Sequence, residues 1–305
     1  MIFVRLSNIA LALLAVLQLS SAQPHGGRHG RRFATPDEVG TTPTTSSTKS
    51  KGGIVYSPYN ADGTCKDEAT FLSDTEKLRD FSYLRLYGID CNQVPNGIAA
   101  AKKYDFQLFL GIHNVPDCEN EIGKLITMVA NNWALVHTVS VGNEVVNSGQ
   151  MSAESVVAKV KIARSLLGAA GYTGSVVTVD TFVAIMANPV LCEASDYVAA
   201  NCHPFFDGKV DASAAGDFLK TQSENVKKAC GGKKVLITET GWPHEGSPNG
   251  AAVPSVDNQG VALSSIKNAM GLDVCYFTAF DDNWKTDTPA TFNAEKHWGI
   301  QNLGF

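Results

Sequence analysis

The stretch KVLITETGWP, residues 234–243, begins like a buried β-strand and ends on a charge beside a large aromatic residue. Val235, Leu236 and Ile237 are consecutive apolar residues, which is typical of a strand that is covered on both faces. Glu239 follows in the same run, where an unpaired charge would be costly. The stretch therefore predicts a strand of a parallel sheet with a polar site at its end.

Seven more apolar stretches alternate with helical segments along residues 52–305. The predicted strands are GGIVYSPY (52–59), SYLRLYGI (82–89), FQLFLGIHN (106–114), VHTVSVGNE (136–144), SVVTVDTF (175–182), YVAANCHPFF (197–206), KVLITETGWP (234–243) and VCYFTAFDDNW (274–284). Helices are predicted near 67–79, 95–104, 119–132, 152–168, 187–194, 213–229 and 257–270. Eight strands with helical crossovers in about 250 residues predict an α/β fold, a single (β/α)8 TIM barrel. The alternative is a doubly wound open sheet, but the Gly-x-Gly-x-x-Gly of its nucleotide-binding form does not follow the first strand.

The first 51 residues differ from the rest in composition. Residues 1–22 combine Arg5, an apolar run over 9–19 and a small-residue cleavage site, so a secretory signal is predicted. This run is shorter than the about 20 residues that a membrane-spanning helix needs. Residues 23–51 are basic and then rich in Ser, Thr and Pro, which predicts a disordered arm and linker. We therefore expect a secreted chain, folded over residues 52–305 and free of the membrane after signal removal.

Charge and cysteine content narrow the function classes. Residues 1–51 hold six of the 25 Lys and Arg and two of the 30 Asp and Glu, so the remaining domain has a net charge of −9. An acidic domain argues against nucleic-acid partners. The seven cysteines predict disulfides in a secreted chain, although their pairing cannot be deduced. No C-x-x-C pair occurs, so no metal site or other cofactor is predicted, and Cys275 is expected to be a buried thiol.

The active site of a barrel lies at the C-terminal ends of its strands, so polar residues at those ends are candidates. They are Tyr56, Ser57, Tyr59, Arg85, Tyr87, His113, Asn114, Asn143, Glu144, Asp180, His203, Glu239, Trp242, Asp281, Asp282, Trp284 and Lys285. Among them, Glu144 and Glu239 each follow a buried run. Two such carboxylates predict an acid and a nucleophile on either side of a glycosidic bond. The alternative is a pair of structural carboxylates held by ion pairs.

Two motifs make a family resemblance specific. SVGNEVV (140–146) and ITETGWP (237–243) resemble the two signatures of glycoside hydrolase family 17. GIVYSPY (53–59), LRLYGIDCNQV (84–94), NCHPFFDG (201–208) and FTAFDDNWK (277–285) resemble its fungal cell-wall branch. The resemblance covers essentially all of residues 52–305. It implies a barrel that hydrolyses or transfers β-1,3-glucan with retention at the anomeric carbon, in the cell wall and as a monomer.

The resemblance also implies roles for single residues. Glu144 would be the general acid/base, Glu239 the nucleophile, and Asn143 would hold the sugar 2-hydroxyl. Substrate binding is expected from Tyr56, Arg85, Tyr87, His203, Phe205, Trp242, Asp282, Trp284 and Lys285. Trp242 is expected to be a sugar platform, and Arg85 either keeps Glu239 ionised or forms an interior ion pair. The short segment 206–234 implies that the plant-type subdomain is absent. The competing hypothesis is a non-catalytic glucan-binding wall protein.

Overall fold

The structure is a computed structural model that describes residues 49–303. The predicted signal, the basic arm and most of the linker lie outside the described residues. Over residues 49–303, no helix has the length and apolarity needed to cross a membrane.

Eight parallel strands pair in chain order, and the last pairs with the first to close a barrel. The strands are β1 (Lys51–Val55), β2 (Phe81–Arg85), β3 (Gln107–Ile112), β4 (Val136–Asn143), β5 (Ser175–Thr181), β6 (Val198–Asn201), β7 (Val235–Thr240) and β8 (Val274–Tyr276). The helices are α1 (Glu68–Glu76), α2 (Gln93–Tyr104), α3 (Cys118–Val129), α4 (Ala153–Ala169), α5 (Phe182–Ala187), α6 (Val190–Ala194), α7 (Ala215–Ala229) and α8 (Val256–Met270). The predicted (β/α)8 TIM barrel is confirmed.

Three predicted elements differ from the structure for identifiable reasons. The single helix predicted near 187–194 is instead the pair α5 and α6, separated at Asn188 and Pro189. Proline disfavours the helical conformation of the residue before it, so the break falls there. The strands predicted at 197–206 and 274–284 end early, at Asn201 and Tyr276. Their C-terminal halves leave the sheet and form loops at the barrel mouth.

The core has two layers, one inside the barrel and one between the strands and the helices. The interior cluster consists of Val55, Tyr83, Phe109, Val177, Val179, Ala199, Leu236 and Cys275. The outer cluster contains Ile54, Leu84, Leu108, Ile237 and the apolar faces of the helices. Successive residues such as Ile54 and Val55 therefore face opposite sides of the sheet, as the pleat of a strand requires. Between β6 and β7 the described chain contains two 3-10 turns and α7, with no further subdomain.

The cysteines form two disulfides, Cys65–Cys91 and Cys192–Cys230. Cys118, Cys202 and Cys275 are free and buried. The expected disulfides are therefore present, and three of the seven cysteines stay unpaired. Cys275 is buried within β8, as predicted.

Candidate active site

A cleft of about 620 Å³ opens at the C-terminal ends of the strands. Eight of the twelve site residues predicted from the sequence line it: Tyr87, Asn143, Glu144, His203, Glu239, Asp282, Trp284 and Lys285. A ninth, Arg85, is buried and contacts this group from behind. Most of the residues that were predicted from the strand ends therefore lie together in this cleft.

Glu239 lies in β7 and is only 6% exposed. Arg85 Nη1 donates to its Oε1 at 2.8 Å, and the Tyr87 hydroxyl donates to the same oxygen at 2.6 Å. His203 Nε2 lies 3.3 Å from the other oxygen, Oε2. Burial by itself would raise the pKa of Glu239, but the charge of Arg85 and the hydrogen bonds from His203 and Tyr87 outweigh it and lower the pKa to about 2. Glu239 is therefore ionised at neutral pH.

Arg85 ends β2 and is 1% exposed. Besides Glu239, its guanidinium donates to the Thr238 carbonyl at 2.7 Å and to Asn143 Oδ1 at 2.8 Å. Its Cζ lies 4.6 Å from the centroid of the Tyr87 ring. Burial opposes the charge of Arg85, but Tyr87 and Glu239 together raise its pKa. The residue is thus a fixed cation behind Glu239, and it does not line the cleft.

Glu144 directly follows β4, where the chain leaves regular strand geometry. The β4–β5 register shifts between Ser140 and Asn143, and Glu144 adopts a left-handed backbone conformation with φ 55°. This conformation is costly for a residue with a side chain, and such strain is concentrated at functional sites. The carboxylate of Asp180 accepts hydrogen bonds from the backbone N–H groups of Val146 and Asn147 at 2.9 and 3.2 Å. These bonds hold the turn that aims Glu144 into the cleft.

The pKa of Glu144 moves in the opposite direction from that of Glu239. Burial is the largest cause of its rise, and the negative charge of Glu239 adds to it. A hydrogen bond from Asn201 works against the rise. The two carboxyl groups therefore differ in environment, because Glu239 has a buried cation beside it and Glu144 has a neutral amide.

Asn201 is a site residue that the sequence analysis missed. It ends β6 and is 2% exposed. Its Nδ2 donates to Glu144 Oε1 at 2.8 Å and to Asn143 Oδ1 at 3.1 Å, and its Oδ1 accepts from Thr238 Oγ1 at 2.8 Å. The sequence does contain a sign of this role, because Asn201 is the polar residue that ends an apolar strand. The prediction instead took His203, two positions later, as the polar end of that strand.

Two hydrogen bonds to its oxygen fix the orientation of the Asn143 side-chain amide. Oδ1 accepts from both Arg85 and Asn201, and in the described part of the chain no hydrogen bond is found to its Nδ2. The Nδ2 group is therefore free to donate to a ligand in the cleft. His203 is fixed differently, because the rings of Phe277 and Trp298 pack edge to face against it at 5.4 and 5.1 Å.

An aromatic wall borders the outer part of the cleft. Trp284 is 39% exposed, and its ring centroid lies 4.9 Å from that of Tyr59. The Trp284 Nε1 donates to Ser57 Oγ at 3.0 Å and to Asp282 Oδ1 at 3.1 Å. Lys285 Nζ lies 3.1 Å from Asp282 Oδ2. These contacts hold the indole in place while a large part of it stays accessible.

Three predicted substrate-binding residues, Tyr56, Phe205 and Trp242, lie in the core instead, each 0% exposed. Tyr56 donates its hydroxyl to Asp74 Oδ2 at 2.9 Å. Trp242 donates its Nε1 to the Val253 carbonyl at 3.1 Å, and Phe205 packs against it edge to face at 5.6 Å. None of the three lines the cleft, so the prediction that Trp242 is a sugar platform is wrong.

The direction of each side chain explains these corrections. Val55 lines the cleft, so its neighbour Tyr56 faces the opposite side of the sheet, towards the helices. After β7, the backbone at Gly241 approaches β8 so closely that a Cβ there would lie 2.3 Å from the Phe277 carbonyl oxygen. Only a residue without a side chain fits at this position, and the next residue, Trp242, lies in the core. Trp298, which does line the cleft, was missed because it lies far beyond the last strand.

Comparisons with known proteins agree with this geometry. Residues 53–299 match the family model described as the BtgE/BtgC glycoside hydrolase domain. A cell surface mannoprotein of Candida albicans is 49% identical over 251 residues, which cover 81% of this chain and 66% of the relative. A protein described as a probable family 17 glucosidase in Saccharomyces cerevisiae is also 49% identical, with coverages of 81% and 64%. The chain therefore spans less than two thirds of the length of these relatives.

Among solved structures, an active-site mutant of a Rhizomucor miehei β-1,3-glucanosyltransferase, in complex with laminaritriose, has a TM-score of 0.71. It is 26% identical to this chain, and the match covers 83% of this chain and 94% of that one. The family match extends over nearly the whole barrel and includes both carboxylate motifs. The chain therefore belongs to the BtgE/BtgC glycoside hydrolase family, and its resemblance to glycoside hydrolase family 17 is confirmed.

Proposed function

We propose that this chain is a secreted, retaining enzyme that hydrolyses or transfers β-1,3-glucan through a covalent glycosyl intermediate on Glu239. The observation that carries the proposal is the contrast between two carboxyl groups that share one cleft. Glu239 is kept ionised by Arg85, whereas the pKa of Glu144 is raised. A retaining glycosidase needs one ionised nucleophile and one protonated acid, about 5 Å apart.

The hydrogen bonds of Glu239 favour one of its oxygens as the attacking atom. Oε1 accepts from Arg85 and Tyr87, while Oε2 has only the longer contact with His203. Oε2 is therefore the oxygen that can form a bond to the anomeric carbon. As this bond forms, the bond from the anomeric carbon to the leaving oxygen breaks, and Glu144 transfers its proton to that oxygen.

The second step follows from the electrostatic coupling of the two groups. Glycosylation removes the charge of Glu239, which is one of the causes that raise the pKa of Glu144. The pKa of Glu144 should then fall, and its carboxylate can take a proton from an incoming hydroxyl. That hydroxyl attacks the anomeric carbon and releases Glu239 as a carboxylate. Water as acceptor gives hydrolysis, and a second sugar gives transfer.

The substrate class is supported by the cleft and by the relatives. The accessible indole of Trp284 offers an apolar face to a pyranose ring, and the free Nδ2 of Asn143 can donate to a sugar hydroxyl. The relatives include a family 17 glucosidase by description and a β-1,3-glucanosyltransferase studied with laminaritriose. We therefore assign β-1,3-glucan and laminari-oligosaccharides as its substrates.

The location is supported by the sequence of the first 51 residues and by one relative that is described as a cell surface protein. We assign residues 1–22 as a cleaved signal, residues 23–51 as an arm and linker, and the cell wall as the site of action. Sequencing the N-terminus of the protein secreted from its own host tests this assignment. A retained Met1 would contradict it.

The chemical roles can be tested by azide rescue of two alanine variants. Glu239→Ala and Glu144→Ala are assayed on an aryl β-laminarioligoside, with Glu295→Ala, which removes another carboxylate from the cleft wall, as the matched control. We expect Glu239→Ala to lose at least about 10³-fold in kcat and to form the α-glycosyl azide when azide is added. Glu144→Ala should instead give the β-glycosyl azide, because its covalent intermediate still forms.

The result that contradicts the proposal is turnover of either variant at the level of Glu295→Ala, or a β-azide product from Glu239→Ala. A non-catalytic wall protein would bind laminari-oligosaccharides and release no new reducing ends. Incubation of the unaltered chain with reduced laminari-oligosaccharides shows whether water or a second sugar is the acceptor. Products longer than the substrate indicate transfer, and shorter products alone indicate hydrolysis.

A further inference from the structure

A second cluster of polar side chains lies outside the cleft, on the loops that follow β7 and β8. His244, Glu245 and His297 each place one ligand atom within 4.8 Å of the other two. His244 and His297 are about one-fifth exposed, whereas Glu245 is 70% exposed. The sequence analysis predicted no metal site because no C-x-x-C pair occurs, and the two histidines are separated in the chain by the whole of α8 and β8.

The backbone brings the two histidines together. The N–H of His244 donates to the carbonyl of His297 at 2.8 Å, so the two loops are bonded at the cluster itself. Three residues further on, the N–H of Ser247 donates to the carbonyl of Phe292 at 2.6 Å. The cluster is therefore held by the fold, and its histidines need not be gathered by a ligand.

His244 hydrogen-bonds an aspartate through one ring nitrogen, and His297 has a longer ionic contact with a second aspartate. His244 Nε2 lies 3.0 Å from Asp281 Oδ1, and the backbone N–H of Gly299 donates to that same oxygen at 2.9 Å. His297 Nε2 lies 3.6 Å from Asp287 Oδ2. Metal-binding histidines almost always bond their second nitrogen to a carboxylate or carbonyl, which fixes the ring and raises its basicity. His297 Nδ1 lies 3.7 Å from Glu245 Oε2, and among the described residues no hydrogen bond is found to His244 Nδ1, so both atoms are open to a ligand.

The charge of the cluster also suits a cation. Glu245, Asp281 and Asp287 supply three carboxylates, and Lys296, 3.8 Å from Asp287, supplies one positive charge. Among these four side chains, the carboxylates therefore outnumber the lysine by two charges. Two imidazoles and one carboxylate form a ligand set that is typical of Zn²⁺ and is also used by other late first-row metals.

From these observations we propose that His244, Glu245 and His297 form a binding site for a divalent transition metal, with Zn²⁺ as the best-matched ion. Tetrahedral Zn²⁺ needs ligand atoms about 3.3–3.5 Å apart, and the three atoms here lie within 4.8 Å of one another, so side-chain shifts of about 1 Å would reach that spacing. Water would complete the coordination. Two cleft residues directly follow residues at the cluster: Asp282 follows Asp281, which contacts His244, and Trp298 follows His297. The metal would thus brace the loops that carry them, without taking part in the chemistry.

The test is a zinc titration of the full, untagged chain after treatment with EDTA. His25 and His29 of the N-terminal segment are replaced by Asn in every protein, so that they cannot bind the ion. We expect one equivalent of Zn²⁺ to bind by calorimetry, and the melting temperature to rise with Zn²⁺. Glu245→Gln, at an exposed position where folding is not threatened, should weaken binding by about tenfold or more. His297→Ala should abolish it, and His137→Ala, which removes an exposed histidine from elsewhere, should leave it unchanged.

Spectroscopy provides an independent readout. Co²⁺ bound in place of Zn²⁺ should give the intense visible absorption of a four-coordinate site, and Glu245→Gln should change that spectrum. The proposal is overturned if no saturable binding of Zn²⁺ occurs below about 100 μM, which corresponds to a weak non-specific contact. It is equally overturned if Glu245→Gln and His297→Ala both bind as the parent does.

Discussion

Asn201 donates one amide N–H to Glu144 Oε1 at 2.8 Å, which connects β6 to the residue that follows β4. The same Nδ2 donates to Asn143 Oδ1, which also accepts from Arg85. Arg85 in turn donates to Glu239. One hydrogen-bond network therefore joins the two carboxyl groups. Glu239 accepts from the charged Arg85, whereas Glu144 accepts from the neutral Asn201. The first three predictions follow from this network.

Replacement of Asn201 should change the titration of Glu144. The hydrogen bond from Asn201 lowers the pKa of Glu144, so Asn201→Ala should raise that pKa and shift the basic limb of kcat/KM to higher pH. Loss of the aligned carboxyl should also lower kcat by about 10²-fold. The measurement is a pH–rate profile on a laminari-oligosaccharide, with Asn188→Ala, whose amide donates to the remote Ala184 carbonyl, as control. A lower kcat with an unmoved basic limb would show a purely structural role.

Glu144→Gln should stabilise the protein while it destroys activity. The pKa of Glu144 is raised on folding, so the folded state holds this proton more tightly than the unfolded chain. Stability is therefore lost as pH rises from the unfolded value of about 4.3 through the folded pKa. Glutamine avoids this loss and can still accept from Asn201. At pH 7 we expect Glu144→Gln to melt at a higher temperature than the parent, and near pH 4 we expect no gain. Each kcal/mol of added stability should raise the melting temperature by about 2–4 °C.

Thermal melts at the two pH values test this prediction. Glu121→Gln, another glutamate of the cleft wall, serves as the matched control. A gain of the same size at both pH values would mean that charge is not the cause. A loss of stability at pH 7 would mean that the raised pKa of Glu144 has been assigned in the wrong direction.

Removal of Arg85 should leave Glu239 as an uncompensated buried charge. Arg85→Met should destabilise the fold by about 3–5 kcal/mol at neutral pH. It should also raise the pKa of Glu239 from about 2, so that the acidic limb of kcat/KM moves to higher pH. In the parent protein, the depressed pKa of Glu239 gives stability above its unfolded value of about 4.3, and this is lost as pH falls towards about 2.

A double variant provides the control for Arg85. In Arg85→Met/Glu239→Gln no charge remains to be compensated, so part of the lost stability should return. The measurement is urea unfolding of the single and double variants at pH 7. A double variant that is no more stable than Arg85→Met would show that packing of the arginine side chain, and not its charge, is what the site requires.

Two tryptophans that look equivalent in the sequence should behave differently. Trp284 is 39% exposed in the cleft, so Trp284→Ala should raise KM by about tenfold, the equivalent of about 1.4 kcal/mol, with little change in melting temperature. Trp242 is fully buried, so Trp242→Phe should cost about 2–4 kcal/mol of stability and leave KM unchanged below the melting temperature. Asn258 still donates to the Val253 carbonyl at 2.9 Å, so that acceptor stays satisfied. Kinetics and melts of both variants provide the test, and a KM effect in Trp242→Phe would contradict it.

The sequence predicted the elements of the barrel well and their ends less well. Val235 to Ile237 and the seven similar runs located every strand, because strands buried on both faces need continuous apolar residues. The predicted strands at 197–206 and 274–284 ran too far, because apolar residues such as Phe205 and Phe277 continue past the last ladder bond. Apolar content alone does not distinguish a strand from a packed loop.

For the candidate site, too, some features follow from the sequence and others only from the tertiary structure. The sequence by itself predicted that Glu144 and Glu239 lie at the ends of strands of one barrel, because in a (β/α)8 barrel the C-terminal ends of all strands meet at one mouth. Only the tertiary structure decided that Trp284 and Trp298 line the cleft while Tyr56, Phe205 and Trp242 are buried. It also decided that Asn201 reaches Glu144, and that His244 meets His297. The physical reason is that side-chain direction depends on strand pleat, on register shifts and on where each loop folds back, and these follow from contacts between residues that are distant in the chain.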